Sequence, residues 1–196
     1  MPRLAQTLPL LVPLAAAFAV ACTDSATSRS LGPTASASFS SGSGSSGSSV
    51  KLQKLELRDD CDSTTFNANV GPGACVHRGS TTFDRFIADL TKNHFVGAWK
   101  NNPDQFNAKP GTAIDVSNIG GETHTFTRVA NFGGGIVPLL NDLSGNTKVA
   151  EECADLNPTT IVASGGHLQT AALPAGNYHF QCCIHPWMRT DVTIRS

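Results

Sequence analysis

Tyr178-His179-Phe180-Gln181-Cys182-Cys183-Ile184-His185-Pro186-Trp187-Met188-Arg189 is the stretch from which the rest of the chain is read. Within it Cys182, His185 and Met188 follow the spacing Cys-x-x-His-x-x-Met. A thiolate, an imidazole and a thioether that close together are soft or borderline donors, which select copper over magnesium or calcium. Tyr178 to Cys182 reads as a strand that delivers Cys182. A tight turn, stiffened by the fixed φ of Pro186, can then return His185 and Met188 to the same ion. Two His and one Cys in a trigonal set with a weak axial Met form a blue-copper site, so one more His is needed from elsewhere.

Six His are available. His179 shares the strand of Cys182 at odd offset and should face the other way. His77, His94 and His167 lie in segments without metal-like spacing. His124 is the best partner: it follows the turn Gly120-Gly121 and sits near the start of the run Thr123 to Val129.

The stretch resembles the ligand loop of the cupredoxins, the plastocyanin–azurin–amicyanin group, and is nearest the short amicyanin form Cys-x-x-His-Pro-x-Met. Asn118, six residues before His124, is similar to the family's Asn-x5-His segment, although Thr125 stands where many members carry Asn. The resemblance covers about residues 93–196. It implies His124, Cys182, His185 and Met188 as ligands of one copper ion. The excursion between His124 and Cys182 is longer than a minimal member needs.

Short β-type runs extend outward from this loop. They are Phe95–Trp99, Thr112–Asn118, Thr123–Val129, Thr160–Val162, His167–Leu173, Tyr178–Cys182 and Asp191–Ile194, with Gly, Pro and Asn between them. Regular short strands of this kind predict an all-β chain, an antiparallel Greek-key β-sandwich of cupredoxin-like form. Residues 130–159 form a Gly-rich excursion, expected to be loop with at most a helical turn. Gly133-Gly134-Gly135 lacks a following Lys-Ser or Lys-Thr and is no phosphate loop.

Residues 50–92 read as an N-terminal extension with a short helix and a disulfide. Phe83, Phe86, Ile87 and Leu90 are spaced i, i+3, i+4, i+7, one face of a helix that should pack on the following domain. Thr81 with Asp84 has capping-box form. Cys61 and Cys75 flank Gly71-Pro72-Gly73 and are expected to pair. With Cys182 given to the metal and Cys22 to a lipid, Cys153 and Cys183 remain of the six cysteines. Alternation puts Cys183 on the face opposite Cys182, where the excursion carrying Cys153 could lie across it. A Cys153–Cys183 bridge is therefore expected.

The first 21 residues read as a signal peptide: Arg3, an apolar run from Leu8 to Val20, and the cleavage-like Ala19-Val20-Ala21. Ala19-Val20-Ala21-Cys22 also resembles a bacterial lipoprotein box, with Cys22 as the lipidated residue. Residues 22–49 are a Ser/Gly-rich tract that cannot bury enough surface to order itself and suits a tether. These features place the chain in the bacterial periplasm or cell envelope, anchored at Cys22 or otherwise secreted, where disulfides persist. Without the first 21 residues, 13 basic stand against 15 acidic residues. That balance excludes a strongly basic nucleic-acid binder.

Four protein ligands leave no coordination position for a substrate, which favours electron carriage over catalysis. The expected function is an exported mononuclear type 1 copper protein, not an enzyme. It would carry single electrons to and from a redox partner docked near His185, Pro186 and Trp187, with His185 near the surface. The alternative is a copper-binding or delivery protein without a redox circuit. A thiol redox role for adjacent Cys182 and Cys183 lacks the usual Cys-x-x-Cys spacing, and a metal-free binding sandwich would leave the donor spacing without a use.

Overall fold

The computed structural model describes residues 50–196. The segments expected to be a signal peptide and a tether, and Cys22 with them, lie outside the described residues. Ten strands fall in chain order: β1 Lys51–Arg58, β2 Lys100–Asn102, β3 Gln105–Ala108, β4 Thr112–Asn118, β5 His124–Thr125, β6 Thr127–Val129, β7 Ile161–Val162, β8 His167–Gln169, β9 Gly176–Gln181 and β10 Arg189–Ile194. One sheet has the order β2-β1-β4-β8 and the other β3-β10-β9-β6, while β5 and β7 form a short ribbon. The inner faces meet in one core that includes Leu55, Leu57, Ile114, Val116, Phe126, Phe180 and Val192.

The sandwich is the expected one, but it is not wholly antiparallel. β1 runs parallel to β4, with Leu55 opposite Val116, and β3 runs parallel to β10, with Phe106 opposite Val192. In both pairs the chain leaves one sheet and crosses other elements before its neighbour is laid down, and such crossovers permit parallel pairing. The segment before residue 93 is also more than an appendage. β1 lies between β2 and β4 in the main sheet. Its sequence hides this because only Leu55-Glu56-Leu57 alternates cleanly by burial, whereas Leu52 is exposed. Phe95–Trp99, expected as a strand, is instead a turn closed by the Trp99 N–H donating to the Val96 carbonyl at 3.0 Å. Val96 and Trp99 are both buried there, three residues apart, which suits a turn and not a period of two.

Helix α1 (Ser63–Asn69) is capped by Asp62, whose carboxylate accepts from the Thr65 N–H. Helix α2 (Phe83–Asn93) is capped by Thr82, one residue later than the Thr81 expected, with Asp84 in its first turn. Phe86 and Leu90 are buried, and Phe83 and Ile87 pack against the same core, as the helical spacing requires. His94 ends α2 in the left-handed conformation. Phe66 of α1, Phe86 of α2 and Trp99 form an aromatic cluster, with Phe66 stacked 5.7 Å and Phe86 tilted 4.8 Å from the Trp99 ring centre. Among the described residues no helix is long and apolar enough to cross a membrane.

Both expected disulfides are present. Cys61–Cys75 closes the loop after β1, and Cys153–Cys183 joins the excursion to the donor loop with Cα atoms 5.2 Å apart. The excursion holds helix α3 (Pro138–Leu143) and is pinned a second time at Gly135. The Ile136 N–H donates to the Cys183 carbonyl at 2.8 Å. A Cβ on Gly135 would stand 1.9 Å from that oxygen, so the close approach needs glycine.

Replacing Cys61 and Cys75 together by Ser is expected to destabilise the metal-free protein by about 3 kcal/mol, the loop-closure value for a bridge of this span. Chemical denaturation would measure it. A loss well under 1 kcal/mol would mean that hydrogen bonds alone hold the loop.

Candidate metal centre

Three elements converge on the site. The end of β9 delivers Cys182, the β9–β10 loop delivers His185 and Met188, and β5 delivers His124, held in register opposite Val162 of β7. The loop closes on itself. The Met188 N–H donates to the His185 carbonyl at 2.9 Å, and the Cys182 N–H donates to the Met188 carbonyl at 3.0 Å. The chain thus turns back within seven residues, and Met188 ends fully buried beside Cys182 in the same core cluster.

His124, Cys182 and His185 each offer a donor atom within 4.8 Å of the other two. Cys182 Sγ lies 3.8 Å from His124 Nδ1 and 3.9 Å from His185 Nδ1. An ion about 2.3 Å from a sulfur and about 2.0 Å from a nitrogen, at trigonal angles, would place those atoms about 3.7 Å apart. The spacing therefore fits a common ligand position. Two backbone N–H groups also point at the sulfur, that of Thr125 at 3.4 Å and that of His185 at 3.5 Å. The Thr125 hydroxyl accepts the Cys183 N–H at 2.8 Å and so ties β5 to the donor loop.

In the metal-free site, burial raises the cost of a thiolate at Cys182. Hydrogen bonds and charge from His124 and His185 outweigh it and hold the thiol well below its ordinary value. Burial likewise opposes charge on His124, yet Asp59 and Cys182 raise it to about 9. Asp59, pushed up by burial, is brought down to about 2 by the hydrogen bond and charge of His124 and by the N–H groups of Glu122 and Gly121. Glu122 is raised by burial, against the charge of His185 and the Trp99 hydrogen bond. A thiolate stabilised without bulk water beside two imidazoles is the ligand form that a soft or borderline transition metal requires.

The far sides of both imidazoles face carboxylates. His124 Nε2 is 2.9 Å from Asp59 Oδ2, and both side chains have no solvent exposure. His185 Nε2 is 3.4 Å from Glu122 Oε2, an oxygen that also accepts from Trp99 Nε1 at 2.5 Å. Gly120-Gly121 makes the first contact possible. A Cβ on Gly120 would lie 2.0 Å from Asp59 Oδ2, and one on Gly121 would lie 2.5 Å from Cys61 Sγ. Asn118 braces the same turn by donating to the Glu122 and Val162 carbonyls.

His185 is not the surface group expected from its loop. It is 3% exposed, with Trp187, Phe86 and Trp99 ring centres 5.5, 6.2 and 6.5 Å from its own. Helix α2 and the β2 lead-in, absent from the loop sequence, supply that cover. Pro186 is buried and Trp187 half-buried. Three of the other four histidines bond elsewhere, His179 to Asp191, His167 to Ser117 and His94 to the Leu143 carbonyl, while His77 packs against Gly121 without joining the grouped donors. Asp59, Glu122 and Trp99 were not legible as site residues. Asp59 and Trp99 reach the site through tertiary contacts from before residue 100. Glu122, two residues before His124, carried no spacing signal.

Two facing four-stranded sheets, with the donor loop between β9 and β10, define a cupredoxin-like β-sandwich. No protein-family model and no curated protein sequence matches the chain. Among solved structures, oxidised plastocyanin from Dryopteris crassirhizoma aligns over 73% of this chain and 100% of its own, at 14% identity and a TM-score of 0.37. A purple cupredoxin from Nitrosopumilus maritimus aligns over 72% of this chain and 98% of its own, at 13% identity and a TM-score of 0.39. A mutant amicyanin in its Cu(I) form aligns over 49% of this chain and 73% of its own, at 16% identity and a TM-score of 0.33.

Proposed function

We propose that this chain is a mononuclear type 1 copper protein that carries single electrons between redox partners outside the cytoplasm. The observation that carries the reading is the buried His124, Cys182, His185 triad with both Nδ1 atoms turned to one sulfur. Met188, buried in the same loop, is the weak axial ligand in this reading. Copper bound there supplies one-electron exchange between its monovalent and divalent states. The residues supply a thiolate and two imidazoles held in one compact arrangement, with little to reorganise when charge changes. The two disulfides agree with an oxidising compartment. Anchoring through Cys22 belongs to the same proposal and is decided by intact mass of membrane-fraction protein: an unmodified Cys22 in a soluble species rules it out.

Electron carriage is also favoured over copper delivery by burial. A delivery site must open to hand over its ion, whereas His185 lies beneath three aromatic rings. The partner in this reading docks over Trp187, the half-exposed edge of that cover, with His185 and Pro186 directly behind it. The test is repeated reduction and reoxidation of the copper-loaded protein in the presence of a copper chelator. Many cycles with the ion retained support the carrier; quantitative loss of copper to the chelator on reduction supports delivery. Met188→Leu is expected to keep a coloured site and raise its potential, because a weak donor is lost while the three strong ones remain. Loss of colour in that variant would show that Met188 is required to assemble the site.

A further inference from the structure

We infer that Asp59 and Glu122 are positioning residues of the metal centre, which fix both imidazoles with Nδ1 toward Cys182 and favour a divalent over a monovalent ion. The inference rests on the proposed copper site and concerns groups that the donor-loop motif does not contain.

Asp59 is built for one orientation. Its Oδ1 accepts from the N–H groups of Gly121 at 2.9 Å and Cys61 at 3.2 Å. Its Oδ2 accepts from the Glu122 N–H at 3.0 Å and faces His124 Nε2 at 2.9 Å. With three backbone donors holding the carboxylate, His124 keeps a proton on Nε2, so the proton it gives up to a metal is the one on Nδ1, the nitrogen on the sulfur side. The Cys61–Cys75 bridge, two residues on, anchors the segment that places Asp59. Glu122 acts on the second imidazole more loosely, at 3.4 Å, with Trp99 Nε1 sharing the same oxygen. Such outer partners fix ligand tautomer and raise ligand basicity, and their loss typically costs about 10–100-fold in metal affinity.

The arrangement also gathers acidic groups around the site. Two carboxylates and one thiolate surround two imidazoles in an interior with little water, where Coulomb interactions are weakly screened. A dication gains more from that surplus of negative charge than a monocation does. The carboxylates therefore stabilise the divalent state preferentially, beyond their effect on imidazole orientation.

The test uses the full chain and its Asp59→Asn and Glu122→Gln variants. Affinities for Cu(II) and for Cu(I) are measured separately by competition, together with the reduction potential and the thermal midpoint of the metal-free proteins. Each variant is expected to lose about tenfold or more in Cu(II) affinity with a much smaller loss for Cu(I), so the potential rises. Asp59→Asn should show the larger change, since its contact is the shorter one. If Asp59→Asn does not fold, Glu122→Gln carries the test. Equal losses for both ions in that variant, as a purely structural role would give, overturn the inference, and so does no change in either. A wild-type protein without an intense thiolate-to-copper band overturns the proposed function together with this inference. A wild-type band with unchanged affinity ratios in the variants overturns this inference alone.

Discussion

Cys182→Ser is expected to remove the visible thiolate-to-copper absorption completely and to weaken copper binding by more than the about 10–100-fold typical of outer-shell changes. The hydroxyl is a hard, weakly acidic donor in place of a soft thiolate, so both the colour and the strongest bond to a soft ion go with the sulfur. The fold should survive. Serine is close in size, and the N–H groups of Thr125 and His185 that point at Sγ can donate to a hydroxyl oxygen instead. The Cys153–Cys183 bridge next door does not involve residue 182. Absorption spectra of copper-loaded variant and wild type, with circular dichroism as the check on folding, measure the effect. A folded variant that keeps the band would place the chromophore elsewhere.

Trp99→Ala is expected to be the most damaging single change away from the ligands, destabilising the metal-free protein by about 4 kcal/mol. Trp99 is 1% exposed and touches the aromatic rings of both helices, so truncation leaves a large cavity at the junction of α1, α2 and the sandwich. It also removes the indole N–H from Glu122 and leaves that buried carboxylate with a weaker set of partners. A domain of this size should lose about 10–15 °C in thermal midpoint. Because Trp99 also covers His185, the copper-loaded variant should exchange its ion faster. A midpoint within about 3 °C of wild type would mean that the helical segment is not part of the cooperative core.

The donor loop was legible because its ligands are local. Cys182, His185 and Met188 lie within seven residues, and their chemistry is readable without a fold. His124 was legible through its turn and its strand-like run. The sandwich followed from β4, β9 and β10, in which the alternate apolar pairs Ile114 and Val116, Tyr178 and Phe180, and Val192 and Ile194 are buried. The pairing of Cys153 with Cys183 was readable by counting out the other cysteines, with strand alternation at Gln181-Cys182-Cys183 turning Cys183 away from Cys182.

What the sequence hid is long-range. β1 contributes only Leu55 and Leu57 as an alternating pair, and its parallel partner β4 begins more than fifty residues later. Asp59 meets His124 across 65 positions, and Trp99 meets Glu122 across 23. Neither acidic residue differs in local sequence from a solvated surface carboxylate. The burial of His185 was missed for the same reason: its cover comes from α2 and Trp99, and a loop motif cannot report what packs on it.

The central claim is tested most directly by titrating the purified, metal-free protein with Cu(II) and recording its absorption and electron paramagnetic resonance spectra. One equivalent should bind and produce an intense blue thiolate-to-copper band with the narrow copper hyperfine splitting of a thiolate-bound ion. Weak binding to a colourless protein, with wide hyperfine splitting, would contradict the assignment of His124, Cys182, His185 and Met188 to a single copper ion.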